Sequence, residues 1–146
     1  IMADSDIETF DFELVSPERK LLSEKVTMAV IPGEEGDFGV LPNHSSLVAT
    51  IRTGVVEVFS EGNDKPRRIF IAGGFADVSP SNCTVLAESA VNVDELEQSD
   101  LEQSMKDLRE DLDRAGDDLE KARINKAISL THAKLEAVSG KVLAAG

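Results

Sequence analysis

The chain has 146 residues and a mass of 15.7 kDa, enough for one hydrophobic core with an appendage but not for two large domains. Its formal net charge of −13 at pH 7 argues against nucleic acid and anionic lipid as partners, because both would repel it. No apolar run is long enough to span a bilayer, and the single cysteine, Cys83, excludes an internal disulfide and is expected to be a small buried residue.

The first two thirds of the chain show the alternating pattern of short strands. Apolar and polar residues alternate in segments 10–14, 19–22, 26–31, 47–51, 55–59, 68–72, 75–78 and 84–88. Thr53-Gly54 is predicted as a turn, and the polar residues 61–66 are expected to connect two paired strands. These features predict an antiparallel β-sandwich of about ten short strands in a domain of residues 1–91.

The segment 32–44 interrupts this pattern. Three glycines, which allow backbone angles closed to other residues, lie between two prolines and predict an ordered turn. The carboxylates of Glu34, Glu35 and Asp37 have no base beside them, and Phe38 stands where a solvated loop usually has a polar residue. We interpret this segment as a contact surface.

Residues 92–146 have a different composition, nearly free of glycine, proline and aromatic residues, and are predicted to form a second domain. One helical stripe is formed by Leu96, Leu101, Met105, Leu108 and Leu112, with Asn92 or Asp94 as the predicted cap. Gly116 is expected to end this helix and Asp117 to cap the next one. A second stripe is formed by Ile124, Ile128, Thr131, Leu135, Val138 and Val142. The two stripes predict an antiparallel helical hairpin.

The sequence offers little for catalysis. The two histidines, His44 and His132, have no signature around them and are interpreted as a hydrogen-bonded turn residue and an exposed helical residue. Segment 33–39 lacks the lysine and hydroxyl residue of a phosphate loop, and 111–122 has alanines at two ligand positions of a calcium loop. We therefore expect a protein that is not an enzyme and has no metal and no cofactor.

Four motifs in order support a resemblance. They are the glycine segment continued to Leu47, the Thr-Gly-Val-Val at 53–56, the Ala-Gly-Gly-Phe at 72–75, and the Thr-Val-Leu-Ala-Glu-Ser-Ala at 84–90. With the helical hairpin they closely resemble the epsilon subunits of bacterial F-type ATP synthases, the counterparts of the mitochondrial delta subunit. The resemblance covers the chain from Phe10 onward.

The resemblance implies a non-catalytic rotor subunit of the central stalk, which couples the gamma subunit to the membrane ring of c subunits. By position, the c-ring interface would include Glu34, Glu35, Asp37, Phe38, Gly39 and His44. Carboxylates at such a surface suit ring loops rich in arginine and amide groups.

The resemblance also bears on the helical hairpin, which family members fold against the sandwich or extend toward the alpha and beta catalytic subunits. The basic residues that would make an inhibitory contact there are Arg123, Lys126, Lys134 and Lys141, and they are spread so thinly that we expect modest inhibition at most. An ATP-binding motif of some members is altered here at Leu96, Glu97 and Asp100, which places acids where a phosphate would lie. We therefore expect weak or no ATP binding.

The location and one alternative function remain as expectations. An acidic start without an Arg/Ser-rich presequence favours a peripheral protein on the cytoplasmic face of a bacterial inner membrane, bound only through the complex. The mitochondrial inner membrane, on its matrix side, is the alternative. An unrelated β-sandwich binding module with a coiled-coil adaptor arm would share the composition but not the four ordered motifs.

Overall fold

The structure is a computed structural model that describes residues 8–145, and the side chains of residues 8–140. The chain divides into two compact units, and the boundary between them lies between Asn92 and Val93. The strands are β1 Phe10–Val15, β2 Lys20–Val26, β3 Met28–Gly33, β4 Gly36–Val40, β5 Leu47–Phe59, β6 Arg67–Val78, β7 Asn82–Ala87 and β8 Ala90–Asn92. A 3-10 turn at Val93–Glu95 precedes two helices, α1 Gln98–Arg114 and α2 Asp118–Ala145.

The strands form one continuous sheet in the order β2-β1-β7-β6-β5-β3-β4, with β8 beside β6. One half of β6 pairs with β8 and the other half with β7, so the long strands β5 and β6 run through both layers of the sandwich. Gly74 in β6 has φ +146°, and a Cβ there would lie 2.0 Å from the carbonyl oxygen of Leu86. Only glycine allows β6 and β7 to approach this closely.

The sandwich and the helical hairpin were both predicted correctly, but the strand count and directions differ in detail. The sheet has eight strands, against about ten expected. Four predicted segments merge in pairs, because Thr53-Gly54 and Gly73-Gly74 lie inside the continuous strands β5 and β6. Strands β4 and β8 were not anticipated. All neighbouring strands are antiparallel except β1 and β7, which are parallel. The sequence could not predict this exception, because the alternation of side chains carries no information about strand direction.

The core of the first unit follows the predicted alternation in β1, where Phe10, Phe12 and Leu14 are buried, but not in β6, where residues 69–71 are buried in succession. Its largest fully buried side chains are Phe12, Leu14, Val26, Ile31, Val40, Val56, Val58, Ile69, Phe70, Ile71, Val78 and Val85. Each apolar side chain of this size contributes roughly 1.5–3 kcal/mol when removed from water. The sandwich is therefore a well-packed support for the loops and faces that it carries.

In the second unit, α1 buries part of the predicted stripe. Met105 is buried, while Leu101, Leu108 and Leu112 are half-buried. The predicted start of the helix was wrong: Asn92 ends β8, Asp94 lies in the 3-10 turn, and Glu97 occupies the cap position without a capping side-chain hydrogen bond.

Helix α2 begins as predicted. The backbone N–H of Glu120 donates to the carboxylate of Asp117 at 2.7 Å, which satisfies one of the free N–H groups of the first turn. The described seam residues are all half-buried: Ile124, Ile128, Thr131, Leu135 and Val138. The side chain of Val142 lies outside the described residues. Within residues 8–145, no helix has both the length and the apolar character needed to cross a membrane.

Candidate functional site

The candidate contact site is the β3–β4 hairpin, which carries the predicted acidic residues. Gly33 pairs with Gly36 across the tip, so the turn consists of Glu34 and Glu35, and both side chains are exposed. The backbone N–H of Glu34 donates to the carbonyl oxygen of Thr50 at 2.9 Å and joins the turn to β5. The predicted ordered turn is therefore shorter than expected, since most of residues 28–40 form two paired strands.

Phe38 lies behind this tip and is half-buried against the core. A Cβ at Gly33 would lie 3.0 Å from two carbons of the Phe38 ring and 2.6 Å from the carbonyl oxygen of Gly36. Gly33 therefore has to be a glycine for the ring to pack over the hairpin. The aromatic residue thus supports the tip from the core side, and only part of its surface is available to a partner.

Asp37 is exposed and is held by Arg52 of β5. One guanidinium nitrogen of Arg52 donates to the Asp37 carboxylate and another to the carbonyl oxygen of Gly33, both at 2.5 Å. The two side chains keep 46% and 60% of their surface exposed. Arg52 was not singled out in the sequence, where a lone basic residue between Ile51 and Thr53 gives no signal of its target.

The other two predicted contact residues lie further along the sequence. Gly39 is exposed on β4 opposite Val30. His44 is half-buried in the turn after β4, and its Nδ1 lies 2.7 Å from the carbonyl oxygen of Ser45. The neighbouring backbone N–H of Asn43 donates to the carbonyl oxygen of Pro80, which ties this turn to the loop between β6 and β7.

A shallow groove runs beside the acidic tip. Its volume is about 460 Å³, and it is lined by residues of the hairpin and by the first residues of β5. Val48 is 72% exposed and Leu47 is 38% exposed at its rim. The tip therefore places carboxylates beside apolar surface, which is the arrangement of a protein interface with an apolar centre and a polar rim.

A second exposed apolar surface lies on the outer face of the sheet, and the sequence analysis missed it. Phe75 and Leu86 are cross-strand partners, with Thr50 opposite Phe75 and Val15 opposite Leu86. We call these four residues the outer row. Phe75 is 55% and Leu86 52% exposed, whereas their strand neighbours Ala76 and Val85 are buried. Asp77, two residues after Phe75 on the same face, was the signal that this face points outward.

Among the described residues, no group of three His, Cys, Asp or Glu residues is arranged to hold a metal ion. Burial, together with the nearby charge of Asp77, raises the pKa of the Cys83 thiol to about 12. Cys83 is buried as predicted, and a thiol with so high a pKa is a poor nucleophile.

The predicted residues of the helical hairpin are mostly exposed. Arg123 and Lys126 are exposed and Lys134 is half-buried, while the side chain of Lys141 lies outside the described residues. His132 is exposed as predicted, with its Nδ1 2.8 Å from the Glu136 carboxylate.

The residues of the altered nucleotide motif lie at the start of α1. Leu96 is half-buried before the helix, whereas Glu97 and Asp100 are exposed at its first turn. Their carboxylates thus occupy the end of the helix where the backbone would otherwise attract an anion.

Comparison with known proteins gives two family matches. Residues 9–93 match the beta-sandwich domain of the ATP synthase Delta/Epsilon chain, and residues 97–144 match the C-terminal domain of the ATP synthase epsilon chain. An ATP synthase epsilon chain of Rhodospirillum centenum is 44% identical over 92% of this chain and 94% of its own length. One from Rhizobium meliloti is 50% identical over 84% of this chain and 90% of its own.

Solved structures match at the level of the fold. A chain in the Euglena gracilis mitochondrial ATP synthase, solved with OSCP, F1 and the c-ring, has a TM-score of 0.70 at 23% identity. That match covers 100% of this chain and 88% of the other. A chain in the central stalk and c-ring structure of the Tetrahymena thermophila mitochondrial ATP synthase has a TM-score of 0.57 at 14% identity, covering 90% and 97% of the two chains.

Proposed function

The chain belongs to the family of ATP synthase epsilon chains, and from this premise we propose that it couples the gamma subunit to the c-ring in the rotating central stalk of a proton-translocating ATP synthase. Family membership sets aside the unrelated adaptor. The observation that carries the proposal is the β3–β4 hairpin, which presents Glu34 and Glu35 to solvent from a rigid sheet.

Torque transfer requires a stiff path between two contact surfaces. Strand β5 provides such a path, because the Glu34 N–H bonds to Thr50 and Thr50 pairs with Phe75 of the outer row. The same strand pairs with β6 over most of its length and with β3 at Ile51 and at residues 57–59. A force on the hairpin tip would therefore be passed through backbone hydrogen bonds of β5 to the outer row.

The hairpin tip is the proposed contact with the c-ring. Exposed ion pairs contribute only about 0.2–1 kcal/mol each, so Glu34 and Glu35 alone would hold a basic ring loop weakly. The groove beside the tip adds apolar surface from Leu47 and Val48, whose burial would exclude water from the charged contacts. Charge then sets the orientation of the contact, and apolar burial supplies most of its strength.

The outer row is the proposed contact with the gamma subunit. Exposed apolar residues that lie side by side on neighbouring strands are typical of protein interfaces. Phe75 and Leu86 form such a pair, and it adjoins the acidic tip, because Thr50 of the outer row also lines the groove beside the tip. The two partners would thus be held by neighbouring parts of one sheet.

Catalysis, in this proposal, resides in other subunits, and the chain reaches the membrane only through the complex, on the cytoplasmic face of a bacterial inner membrane. An inhibitory contact of α2 with the alpha and beta subunits would rely on Arg123 and Lys126, the two of the four bases implied by the resemblance that the described side chains show exposed. Two scattered charges favour modest inhibition, which hydrolysis by the motor with and without residues 93–146 would measure.

The test of the ring contact is the double variant Glu34→Lys with Glu35→Lys in the assembled complex. Reversing both charges should repel a basic ring loop, and we expect ATP-driven proton pumping per ATP hydrolysed to fall at least threefold. The measurement is fluorescence quenching of a pH-sensitive dye in inverted vesicles, normalised to hydrolysis. The circular dichroism spectrum of the purified protein should stay unchanged, because both side chains are exposed.

The matched control is Glu61→Lys with Asp64→Lys, which makes the same charge change in the exposed loop between β5 and β6. This control should pump normally. Equal pumping by the tip variant and the wild type would refute the ring contact, and an equal loss in both variants would show that net charge, rather than the tip, is responsible.

A further inference from the structure

We propose that Arg52 is a positioning residue that fixes the direction of the acidic hairpin tip, and that Asp37 acts through Arg52 rather than by touching the partner. This inference rests on the proposed role of the tip as a contact surface. It changes the assignment of Asp37, which the resemblance places among the contact residues.

The geometry places Arg52 as a clamp across both strands of the hairpin. Gly33 is the last residue of β3 and Asp37 the second residue of β4, and the guanidinium of Arg52 donates to an acceptor on each. Arg52 itself follows Ile51, the β5 residue paired with Gly33. A single side chain therefore joins both strands of the hairpin to β5.

The backbone ladder between this end of the hairpin and β5 is interrupted. The pairing of β3 with β5 is irregular between Val30 and Gly33, where the register shifts. Pro32, within that interval, has no N–H to donate. Beyond the irregularity, the tip is joined to β5 by the Gly33–Ile51 pair and by the Glu34 N–H. The bonds from Arg52 supplement the ladder where it is interrupted.

The clamp also decides which acids face a partner. The carboxylate of Asp37 is neutralised by the guanidinium, whereas Glu34 and Glu35 extend from the turn. Recognition of a basic loop then falls to these two glutamates. Arginine suits the position because its planar fork reaches two acceptors at once, which a lysine ammonium at the same place would not do with the same geometry.

The first test uses the free full-length protein and measures amide hydrogen exchange at Glu34. Replacing Arg52 with glutamine should speed exchange of this amide about tenfold, since the hairpin tip would open more often from β5. Arg52→Lys should restore part of the protection, because it keeps one bond. Arg67→Gln, which removes a similarly exposed arginine paired with Glu24 at 3.6 Å, is the matched control and should leave the Glu34 amide unchanged.

Unfolding temperature should barely change in any of these variants, because an exposed ion pair adds little to global stability. A Glu34 amide that exchanges at the wild-type rate in Arg52→Gln would overturn the clamp. This result does not depend on the c-ring, so it separates a failure of the clamp from a failure of the proposed function.

The second test is a double-mutant cycle in the assembled complex, with proton pumping per ATP as the readout. Asp37→Ala and Arg52→Gln should each reduce pumping by a similar factor, and the double variant should be no worse than the poorer single one. That pattern is expected if the two residues act as one unit. If the two losses multiply, Asp37 touches the partner independently of Arg52 and the inference is overturned.

Discussion

Two phenylalanines show how similar residues take different roles once their strand positions are known. Phe38 follows an aspartate in a glycine-rich segment and suggested an exposed aromatic contact, yet its ring packs on the core over Gly33. Phe75 follows two glycines and was noted only as part of a motif and a predicted strand, yet it is 55% exposed on the outer row. Alternation with Ala76 and Asp77 fixes the face of Phe75, whereas nothing local to Phe38 shows which neighbour covers it.

A prediction at the scale of one residue concerns Cys83. Because burial raises its thiol pKa to about 12, the thiol should react with an aromatic disulfide reagent at pH 8 only after unfolding. Ser45→Cys, at an exposed position, should add one thiol that reacts within seconds to minutes in the folded protein. Rapid labelling of Cys83 in the native wild type would contradict its burial.

The same shift has a pH dependence with a definite sign. The folded state holds the thiol proton above pH 9, where the unfolded protein loses it, so this contribution to stability is complete below pH 9 and declines toward pH 12. The free energy of unfolding in urea should therefore fall more steeply between pH 9 and 10 for the wild type than for Cys83→Ala.

At the scale of elements, turn signals were the least reliable part of the sequence. Thr53-Gly54 and Gly73-Gly74 resemble turns locally, but each lies within a long strand that passes through both layers. Strand pairing on both sides overrides the local preference, because an interrupted strand would leave backbone groups unpaired. The helical hairpin was easier to predict, because its stripes and the Asp117 cap are set by residues close in sequence.

The start of α1 leads to a prediction about nucleotides. Glu97 and Asp100 place two exposed carboxylates at the helix end whose backbone N–H groups would otherwise attract phosphate. Calorimetric titration of the full-length protein with ATP and Mg²⁺ should give a dissociation constant above about 1 mM, which corresponds to less than roughly 4 kcal/mol of binding.

A matched variant tests the cause of that weak binding. Asp100→Arg should strengthen ATP binding, since it replaces a repulsive charge with an attractive one, whereas Asp107→Arg, later in α1, should not. Submillimolar binding by the wild type would contradict the electrostatic argument.

At the scale of the whole molecule, the first unit carries two candidate surfaces on one continuous sheet. The acidic tip is built by β3 and β4, and the outer row by β5, β6, β7 and β1. The two surfaces share β5, because Thr50 belongs to the outer row and also lines the groove beside the tip. This continuity suits a coupling role. Substitutions in the turn and in the outer row change different residues, so we expect each to affect a different partner.

The corresponding prediction is that Phe75→Glu with Leu86→Glu weakens association with the gamma subunit. Truncation of a hot-spot residue at an interface costs about 2 kcal/mol or more, and the outer row would supply such residues, so binding should weaken by at least roughly tenfold. Co-purification and titration calorimetry with purified gamma measure the loss. The control Leu119→Glu changes a leucine that is 74% exposed in α2 and should bind normally.

The outcome that would contradict this assignment is full gamma binding by the outer-row variant while its circular dichroism spectrum matches that of the wild type. The tip variant Glu34→Lys with Glu35→Lys should keep gamma binding, because its residues lie in the β3–β4 turn.

The sequence by itself determined the class of fold, the two helices and the acidic turn, because alternation, helical stripes and turn residues act over a few positions. It also determined the family, through four motifs in order. Only the tertiary structure decided that β1 and β7 run parallel, that Arg52 joins both strands of the hairpin to β5, and that Phe75 meets Leu86 on an outer face. These relations connect residues far apart in the sequence, and the physical reason is that pairing and packing between strands are set by the whole sheet, while each strand's local pattern fixes only which of its faces is buried.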